Sequence, residues 1–414
     1  MSPTTVHRAR PGTKPLRPVV PVVHTPYDYD WFFFKLTPTD TVVGTSMKVT
    51  CARDELADKL QIVGRGVSAR TSVQILAGIM LRSSEGQLFL SATDMEISLR
   101  VALDAQVEDE GAIVVPGRLL VDIVRLLPAG DLTLEHRSEE GLALLTAGSA
   151  SYRLYTYGAE DFPRLPEIEE ESAFTVDRDA FLDTIARVSR SASRDESRPV
   201  LTGILVRFDG DKVVMAATDS YRLSVKETSL AEGPSEELEA IVPARALGEL
   251  ARIAQAAEAQ ALQIGVQENQ VVFGTDGIWL TARRIDGQFP NYKQLLPESF
   301  EAEVHLPREE LLDVVRRTSL MAQRKSPLRL RFEEGELTVS AQTPDVGEAR
   351  ESLPIAYSGD VMEIGFNADY LRDGLESVTD DQVRFKLISP LRPGLIHGED
   401  DDFLYLIMPI RLAG

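Results

Sequence analysis

Residues 215–225 read MAATDSYRLSV, and residues 90–100 read LSATDMEISLR. Each stretch follows a short strand-like run, so the chain carries the same Ala-Thr-Asp corner twice. Thr and Asp favour such corners because their side chains hydrogen-bond to nearby backbone groups. Asp94 and Asp219 could therefore be equivalent turns in two copies of one domain. The alternative is a pair of catalytic carboxylates.

A longer repeat runs through the chain. Three similar stretches begin at Met47, Ala173 and Ala302. Each is a short alternating strand, an acidic or proline turn and an amphipathic helix, followed by a basic, polar segment. The corresponding helix positions are Leu56, Phe181 and Leu311.

The second half of each repeat follows a similar plan. Strand–helix units occupy residues 111–128, 239–255 and 362–378. Repeats at a fixed spacing indicate repeated structural units. The sequence thus predicts an α+β fold of three repeated domains, each with two helices backed by sheet, at residues 47–167, 168–298 and 299–414.

Composition narrows the function classes. The 414 residues are 43% hydrophobic and 26% charged, as in ordinary globular proteins. No apolar run is long enough to span a membrane. The lone Cys51 excludes an intramolecular disulfide, and five histidines without ligand-like spacing give no support for a zinc site.

Residues 1–46 differ from the rest of the chain. They are rich in proline and show no sustained helix or strand period. The composition favours a disordered extension before a domain that opens at Met47. The alternative is that the aromatic cluster 31–34 docks on another surface. No signal-peptide pattern is evident.

The charge is unevenly distributed. The net charge of −21 argues against a nucleic-acid-binding protein when taken in bulk. Apolar residues between 181 and 188 form one stripe of a predicted helix. Arg187 and Arg190 lie off this stripe, and Arg194 follows just beyond. Similar arginines recur at 118 and 125, at 245 and 252, and at 316, 317 and 324, while acidic residues gather at 167–172 and 399–402. This recurrence favours one basic face, although exposed helix arginines are often merely solvated.

Six motifs together carry a family resemblance. They are MKVTCARDEL (47–56), PGRLLVDIVRLLP (116–128), ATDSYRL (217–223), DGQFPNYKQLLP (286–297), MEIGFNADYL (362–371) and YLIMPIRL (405–412). In this order they resemble the bacterial DNA sliding clamp, the beta subunit of DNA polymerase III. The resemblance covers 47–414 and leaves out 1–46.

The resemblance implies a DNA clamp fold that forms a ring-shaped, head-to-tail homodimer. Helices would line a channel for duplex DNA, and sheets would form the outside. The implied function is that of a non-catalytic processivity factor in the cytoplasm, at the nucleoid, with no cofactor. Its partners would be double-stranded DNA, a second copy of the chain, the polymerase alpha subunit, the clamp loader delta subunit, and repair polymerases, mismatch-repair proteins and ligase. A separate loader is expected because the chain has no G-x-x-x-x-G-K-[ST] phosphate loop.

The resemblance also implies a cleft that binds partner peptides between domains 2 and 3. Its expected residues are Leu201, Thr218, Ser220, Tyr221, Arg222, Leu223, Pro290, Leu295, Asn367, Tyr370, Leu391, Pro393, Leu406, Met408, Pro409, Ile410 and Arg411. Ser220 and Pro393 depart from the family pattern, in which glycine and a small polar residue are common. Asp219 itself is expected to form a turn, and Thr93-Asp94 to be structural.

Two further sets are carried over from the family. The expected channel residues are Arg70, Arg118, Arg125, Arg198, Arg245 and Arg252. At the joint between protomers, Tyr152 and Leu154 are expected to meet Leu320 and Met321 of the other protomer.

Three rival interpretations stay open at this stage. The first, a nuclease or hydrolase using Asp94 and Asp219, is disfavoured because the two residues lie in different predicted domains without a repeated acidic or histidine cluster. The second is a peptide-binding scaffold that does not encircle DNA. The third is a specialised second clamp, such as a drug-resistant paralogue.

Overall fold

The computed structural model describes residues 46–68, 71–165, 173–322, 326–344, 346–400 and 402–412. Ser46 begins the first strand, so only this residue of the predicted extension is described. The predicted disorder of 1–45, the channel residue Arg70 and the acidic run 167–172 lie outside the described residues. Within them, no helix is long and apolar enough to cross a membrane.

Domain 1 follows the predicted strand–helix–strand plan twice. Its strands are β1 (Ser46–Ala52), β2 (Gly78–Ser84), β3 (Gln87–Thr93), β4 (Ile97–Asp104), β5 (Gln106–Asp109), β6 (Gly111–Pro116), β7 (Asp131–Arg137), β8 (Leu142–Ala147), β9 (Ala150–Tyr155) and β10 (Tyr157–Gly158), and its helices are α1 (Arg53–Val63) and α2 (Gly117–Leu126).

Domain 2 repeats this plan with one additional short helix. Its strands are β11 (Ala173–Asp177), β12 (Gly203–Asp209), β13 (Lys212–Thr218), β14 (Arg222–Ser229), β15 (Leu238–Pro243), β16 (Ala261–Val266), β17 (Gln270–Thr275) and β18 (Ile278–Arg283), and its helices are α3 (Arg178–Val188), α4 (Pro199–Thr202) and α5 (Ala244–Gln255).

Domain 3 has the same order of elements. Its strands are β19 (Ala302–Pro307), β20 (Leu328–Glu333), β21 (Glu336–Thr343), β22 (Gly347–Pro354), β23 (Met362–Phe366), β24 (Gln382–Leu387), β25 (Gly394–His397) and β26 (Phe403–Ile407), and its helices are α6 (Arg308–Ser319) and α7 (Ala368–Ser377).

The described residues form four sheets, and two of these sheets continue from one domain into the next. The orders are β5-β1-β7-β8-β9, β10-β6-β2-β3-β4-β18-β17-β16-β11, β15-β12-β13-β14-β26-β25-β24-β19 and β22-β21-β20-β23. The antiparallel pair β4–β18 joins domains 1 and 2, and the antiparallel pair β14–β26 joins domains 2 and 3. Among the described residues, strands β9 and β22 lie at sheet edges without a neighbouring strand on one side.

The repeat extends to individual hydrogen bonds. Arg53, Arg178 and Arg308 each begin the first helix of their domain, and each backbone N–H donates to a carbonyl beyond the second helix at 2.8–2.9 Å. Their guanidinium groups reach carbonyls of the same loops, such as Ala257 O at 2.7 Å from Arg178. These three arginines therefore fix the two helices of a domain to each other.

Apolar helix faces pack on the sheets as the sequence predicts. Phe181, Leu182, Ile185 and Val188 are all buried. Leu56, Phe181 and Leu311 occupy equivalent places in the helix–sheet cores. The hydrophobic period therefore predicted both the helices and their buried faces.

Candidate functional site

The Ala-Thr-Asp corner of domain 2 is a turn closed by its own side chains. The Thr218 hydroxyl donates to the Arg222 carbonyl at 2.6 Å. Oδ1 of Asp219 accepts from the backbone N–H groups of Tyr221 and Arg222 at 2.9 and 3.1 Å. The turn expected for Asp219 is confirmed.

The corner of domain 1 has the same geometry. Asp94 Oδ1 accepts from the N–H groups of Glu96 and Ile97, and Thr93 donates to the Ile97 carbonyl. Asp94 also pairs with Arg245 of domain 2. Each aspartate thus serves a turn and an ion pair in its own domain joint. No group of three potential metal-ligating side chains occurs in the described part of the chain.

Strand pairing brings the corner of domain 2 to the end of domain 3. Arg222 lies opposite Ile407, and Leu223 lies opposite Leu406. Beyond the strand, the N–H of Met408 donates to the Tyr221 carbonyl at 2.8 Å. The sequence prediction that 218–223 and 406–411 share one site therefore agrees with their positions.

Arg222 is the polar centre of this site. Its guanidinium donates to Asp219 Oδ2 at 3.1 Å and to Asp373 Oδ2 at 2.5 Å, and lies over the ring of Tyr370 with 4.3 Å to the centroid. Burial alone would lower the pKa of Arg222, but Tyr405 and the two aspartates raise it overall. Arg222 therefore stays charged and tied to both domains.

The start of helix α7 forms one wall of this site. Asn367 caps the helix by accepting from the N–H of Tyr370 at 3.0 Å. The Tyr370 ring stacks near Tyr221, with 6.5 Å between centroids. Burial raises the pKa of Tyr370. A Tyr–Arg–Tyr surface thus spans the two domains.

An apolar floor lies beside this wall. Leu223, Leu395 and Leu406 are buried in one cluster with Leu205 and Ile241. The exposed apolar residues of the predicted set are Tyr221 at 60%, Leu295 at 52%, Leu391 at 59% and Met408 at 40%. Buried Leu223, Leu406 and Thr218 accordingly form the support, and the exposed side chains supply the contact surface.

The other predicted cleft residues lie on segments flanking the β14–β26 pair. Leu201, Pro393, Pro409 and Ile410 are half-buried, and Pro290 and Arg411 are exposed. Ile410 forms a single antiparallel bridge with Gly365. Pro393 precedes Gly394, which lies opposite Ile407.

Arg198 lies beside the cleft corner, although it was expected in the DNA channel. Its guanidinium donates to the Ser220 hydroxyl at 3.1 Å and to Asp195 at 2.9 Å. Ser220 itself has a positive φ of 80°. The unusual serine of the motif thus holds an arginine at the edge of the site.

The predicted basic face is largely neutralised. The six longer helices together carry 12 Arg and Lys and 13 Asp and Glu residues, so these helices have no net positive charge. Arg125, Arg245 and Arg252 are exposed but ion-paired to Asp122, Asp94 and Glu249, respectively. Arg118 is exposed and has no ion-pair partner among the described residues.

Three of the four residues predicted at the protomer joint are exposed or half-buried. Leu320 is 80% exposed, Tyr152 is exposed on the edge strand β9, and Met321 is half-buried. Leu154 is a correction: its side chain is 4% exposed and packs in the core of its own domain. Strand alternation places Leu154 on the same face as Tyr152, so the sequence pattern alone gave no signal that Leu154 is buried and Tyr152 exposed.

Sequence reasoning missed two residues of the site. Asp373 holds Arg222 from domain 3, and Leu395 completes the apolar floor. The helical spacing of Asp373 three residues after Tyr370 is a signal that could have indicated a shared helix face.

The fold and the repeated joints define a three-domain DNA clamp, and comparisons with known proteins agree. Models of the N-terminal, central and C-terminal domains of the DNA polymerase III beta subunit match residues 47–166, 175–291 and 293–411. The chain therefore belongs to the family of bacterial beta sliding clamps, the beta subunits of DNA polymerase III.

Individual relatives cover most of the chain. A beta sliding clamp of Streptomyces coelicolor is 34% identical over 89% of this chain and 100% of its own length. The beta sliding clamp homolog GriR of Streptomyces muensis is 31% identical over 88% of this chain and 99% of its own. The solved DNA polymerase sliding clamp of Bacillus subtilis is 27% identical, covers 89% of this chain and 100% of its own, and superposes with a TM-score of 0.85.

Proposed function

We propose that two copies of this chain form a closed ring that slides on duplex DNA and tethers a DNA polymerase through the cleft between domains 2 and 3. The observation that carries the proposal is the repetition of one inter-domain strand pair at β4–β18 and β14–β26. In each pair, the fourth strand of one domain (β4 or β14) lies beside the final strand of the next domain (β18 or β26). The fourth strand of domain 3, β22, and strand β9, which is the domain 1 counterpart of β18 and β26, are both open edges among the described residues.

The same pairing between protomers closes a ring. At the internal joints Leu99 lies opposite Leu280, and Ser224 lies opposite Tyr405. The hairpins make Ala349 the counterpart of Leu99, because Ala92 and Ala341 occupy the same hairpin position. A head-to-tail contact of this kind either closes or grows into a filament, and closure after two copies gives six domains.

This register predicts the contacts at the closure. Tyr152 is the counterpart of Leu280, so Ala349 would face Tyr152 of the partner subunit. Glu348 would then lie directly opposite Arg153 of the partner subunit, and both side chains are exposed. Opposite charges across an antiparallel pair are favourable.

Apolar side chains surround the proposed closure. Leu320 occupies the helix-end position that Arg65 and Arg190 hold in the other domains. On α2, Leu119 and Leu126 are exposed, whereas their counterparts Ala246 and Ile253 on α5 are buried at an internal joint. Covering these leucines with domain 3 of a second copy would remove apolar surface from water.

The proposed channel holds DNA weakly. A topologically closed ring needs no tight grip, so sequence-independent contacts to phosphates suffice. Arg118 is the most available cation among the proposed channel residues, and Arg125, Arg245 and Arg252 would exchange their carboxylate partners for phosphates. Neutralised arginines favour sliding because no single contact is strong.

The proposed cleft suits a short apolar peptide. Tyr221, Leu295, Leu391 and Met408 offer exposed apolar surface, and an apolar groove with a few polar groups is the usual form of such sites. Methionine adapts to differing ligands, which suits several partners. We infer the replicative polymerase alpha subunit, the clamp loader delta subunit, repair polymerases, mismatch-repair proteins and ligase as partners. The chain itself would be non-catalytic and would act in the cytoplasm at the nucleoid.

Primer extension on a singly primed circular template tests the proposal. With a bacterial clamp loader and the replicative polymerase, the chain should convert short products into products of many hundred nucleotides. Leu320→Glu should be monomeric and should leave only short products, because it places a charge in the apolar closure. Val361→Glu is the matched control, since Val361 is also an exposed apolar residue of domain 3. A dimeric Leu320→Glu variant with full activity would contradict the proposed closure.

A further inference from the structure

We propose that a chain of ion pairs across domains 2 and 3 couples DNA in the channel to peptide binding in the cleft, with Asp373 as the shared residue. The inference rests on the proposed function and concerns regulation of the same cleft. Duplex DNA and partner peptide are expected to favour each other's binding.

Asp373 receives cations from two sides. Its Oδ2 accepts from Arg222 Nη1 at 2.5 Å on the cleft side. Its Oδ1 lies 3.6 Å from Nη1 of Arg190, just beyond the end of helix α3. One carboxylate therefore joins a cleft residue to a residue of the helix layer that would line the channel.

The chain of ion pairs continues along the helices of domain 3. Arg190 Nη1 also donates to Glu376 at 2.7 Å, and Glu376 accepts from Arg316 Nη2 at 3.0 Å. Burial would raise the pKa of Glu376, but Arg316 and Arg190 hold it below its usual value. The sequence of alternating charges is therefore Asp219, Arg222, Asp373, Arg190, Glu376 and Arg316.

The two ends of this chain of ion pairs differ in solvent exposure. The side chains of Arg222 and Asp219 are 10% and 11% exposed, whereas those of Arg190 and Arg316 are 41% and 46% exposed. Exposed ion pairs are weak and exchange readily, while a shielded pair is held more strongly. The channel end is thus free to change partners, and the cleft end is held in place.

Phosphates in the channel would change the balance at Asp373. If Arg190 turns towards a phosphate, Asp373 keeps only Arg222 as its cation, which strengthens that pair. Arg222 lies on the face of Tyr370, so a firmer Arg222 fixes the Tyr221–Tyr370 wall of the cleft. A wall that is already ordered costs the peptide less conformational entropy on binding. By thermodynamic linkage the peptide must favour DNA by the same factor.

The test compares peptide affinity with and without DNA. A fluorescein-labelled peptide from the polymerase alpha subunit is titrated with the free protein and with the protein loaded on nicked circular plasmid. The wild-type protein should bind the peptide about fivefold more tightly on DNA, near the lower end of measured coupling energies. Arg190→Met should bind the peptide tightly even when free, and DNA should add no further increase.

Arg331→Met is the matched control. Arg331 is an exposed, ion-paired arginine of strand β20 that belongs neither to the proposed channel residues nor to this chain of ion pairs. Its variant should keep the fivefold effect of DNA. If Arg190→Met behaves like the wild-type protein in both titrations, or if DNA leaves wild-type affinity unchanged, the coupling is refuted. A wild-type protein that binds no peptide, or is not retained on circular DNA, would instead refute the proposed function.

Discussion

The joint between domains 1 and 2 and the joint between domains 2 and 3 share one backbone. Each pairs the strand after an Ala-Thr-Asp corner with the last strand of the next domain. Each then adds one more hydrogen bond, from Arg283 N to Glu96 O at 2.9 Å and from Met408 N to Tyr221 O at 2.8 Å. The corners even share a non-glycine residue with positive φ, Met95 at 77° and Ser220 at 80°.

The side chains at these equivalent positions differ. Domain 1 has Glu96 where domain 2 has Tyr221, and Met408, directly after β26, stands where β18 ends in Arg283. On the second helices, Ala246 stands where Tyr370 stacks in domain 3. The comparison teaches that the joint supplies the geometry, whereas the side chains decide which joint offers an apolar cleft.

Exchanging these side chains should have the largest effect. The double variant Tyr221→Glu, Met408→Arg gives the second joint the residues of the first and should weaken peptide binding at least about 100-fold, since hot-spot residues cost about 2 kcal/mol or more each. Fluorescence anisotropy with the labelled peptide measures the loss. Glu96→Gln, Arg283→Gln serves as the control and should bind normally. Wild-type affinity in the exchanged variant would mean that the peptide binds outside this joint.

The arginine of each joint provides a second comparison. Arg222→Met should lower the free energy of unfolding by about 3 kcal/mol, because it leaves Asp219 and Asp373 shielded and without this cation. Arg245→Met removes a pair whose arginine side chain is 50% exposed and should cost about 0–1 kcal/mol. Urea unfolding followed by circular dichroism compares the two. Equal losses would show that the joints are held in the same way.

The positive-φ residues should give the smallest difference. Met95→Gly should stabilise the protein by about 0.5–1 kcal/mol because glycine adopts this conformation without steric strain. Ser220→Gly relieves the same strain but loses the hydrogen bond from Arg198, so its net effect should be close to zero. Thermal melting of both variants distinguishes them. A larger gain for Ser220→Gly would mean that the Arg198 contact contributes no stability.

The sequence predicted the fold well because the repeats and helix stripes record which faces are buried. Leu56, Phe181 and Leu311 lie where the pattern indicated. The predicted cleft residues around Tyr221, Tyr370 and Met408 came from the family resemblance, because their aliphatic pattern alone is typical of an ordinary hydrophobic core.

Tertiary contacts explain what the sequence could not give. Leu154 was expected at the surface, but strand β9 buries it in its own domain. The contacts that Arg198 makes with Ser220 and Asp195 were not indicated by the sequence, and its predicted place in the channel stays a prediction. The basic face was overestimated because carboxylates distant in sequence, such as Asp373 and Glu376, reach the arginines only in the folded chain.

Retention on DNA tests the ring most directly. The protein is loaded onto nicked circular plasmid with a bacterial clamp loader, isolated by gel filtration, and the plasmid is then cut with a restriction enzyme. A topologically linked ring stays on circles at moderate salt and is lost once the DNA has ends. Equal retention on circular and linear DNA, or no retention on either, would contradict the ring.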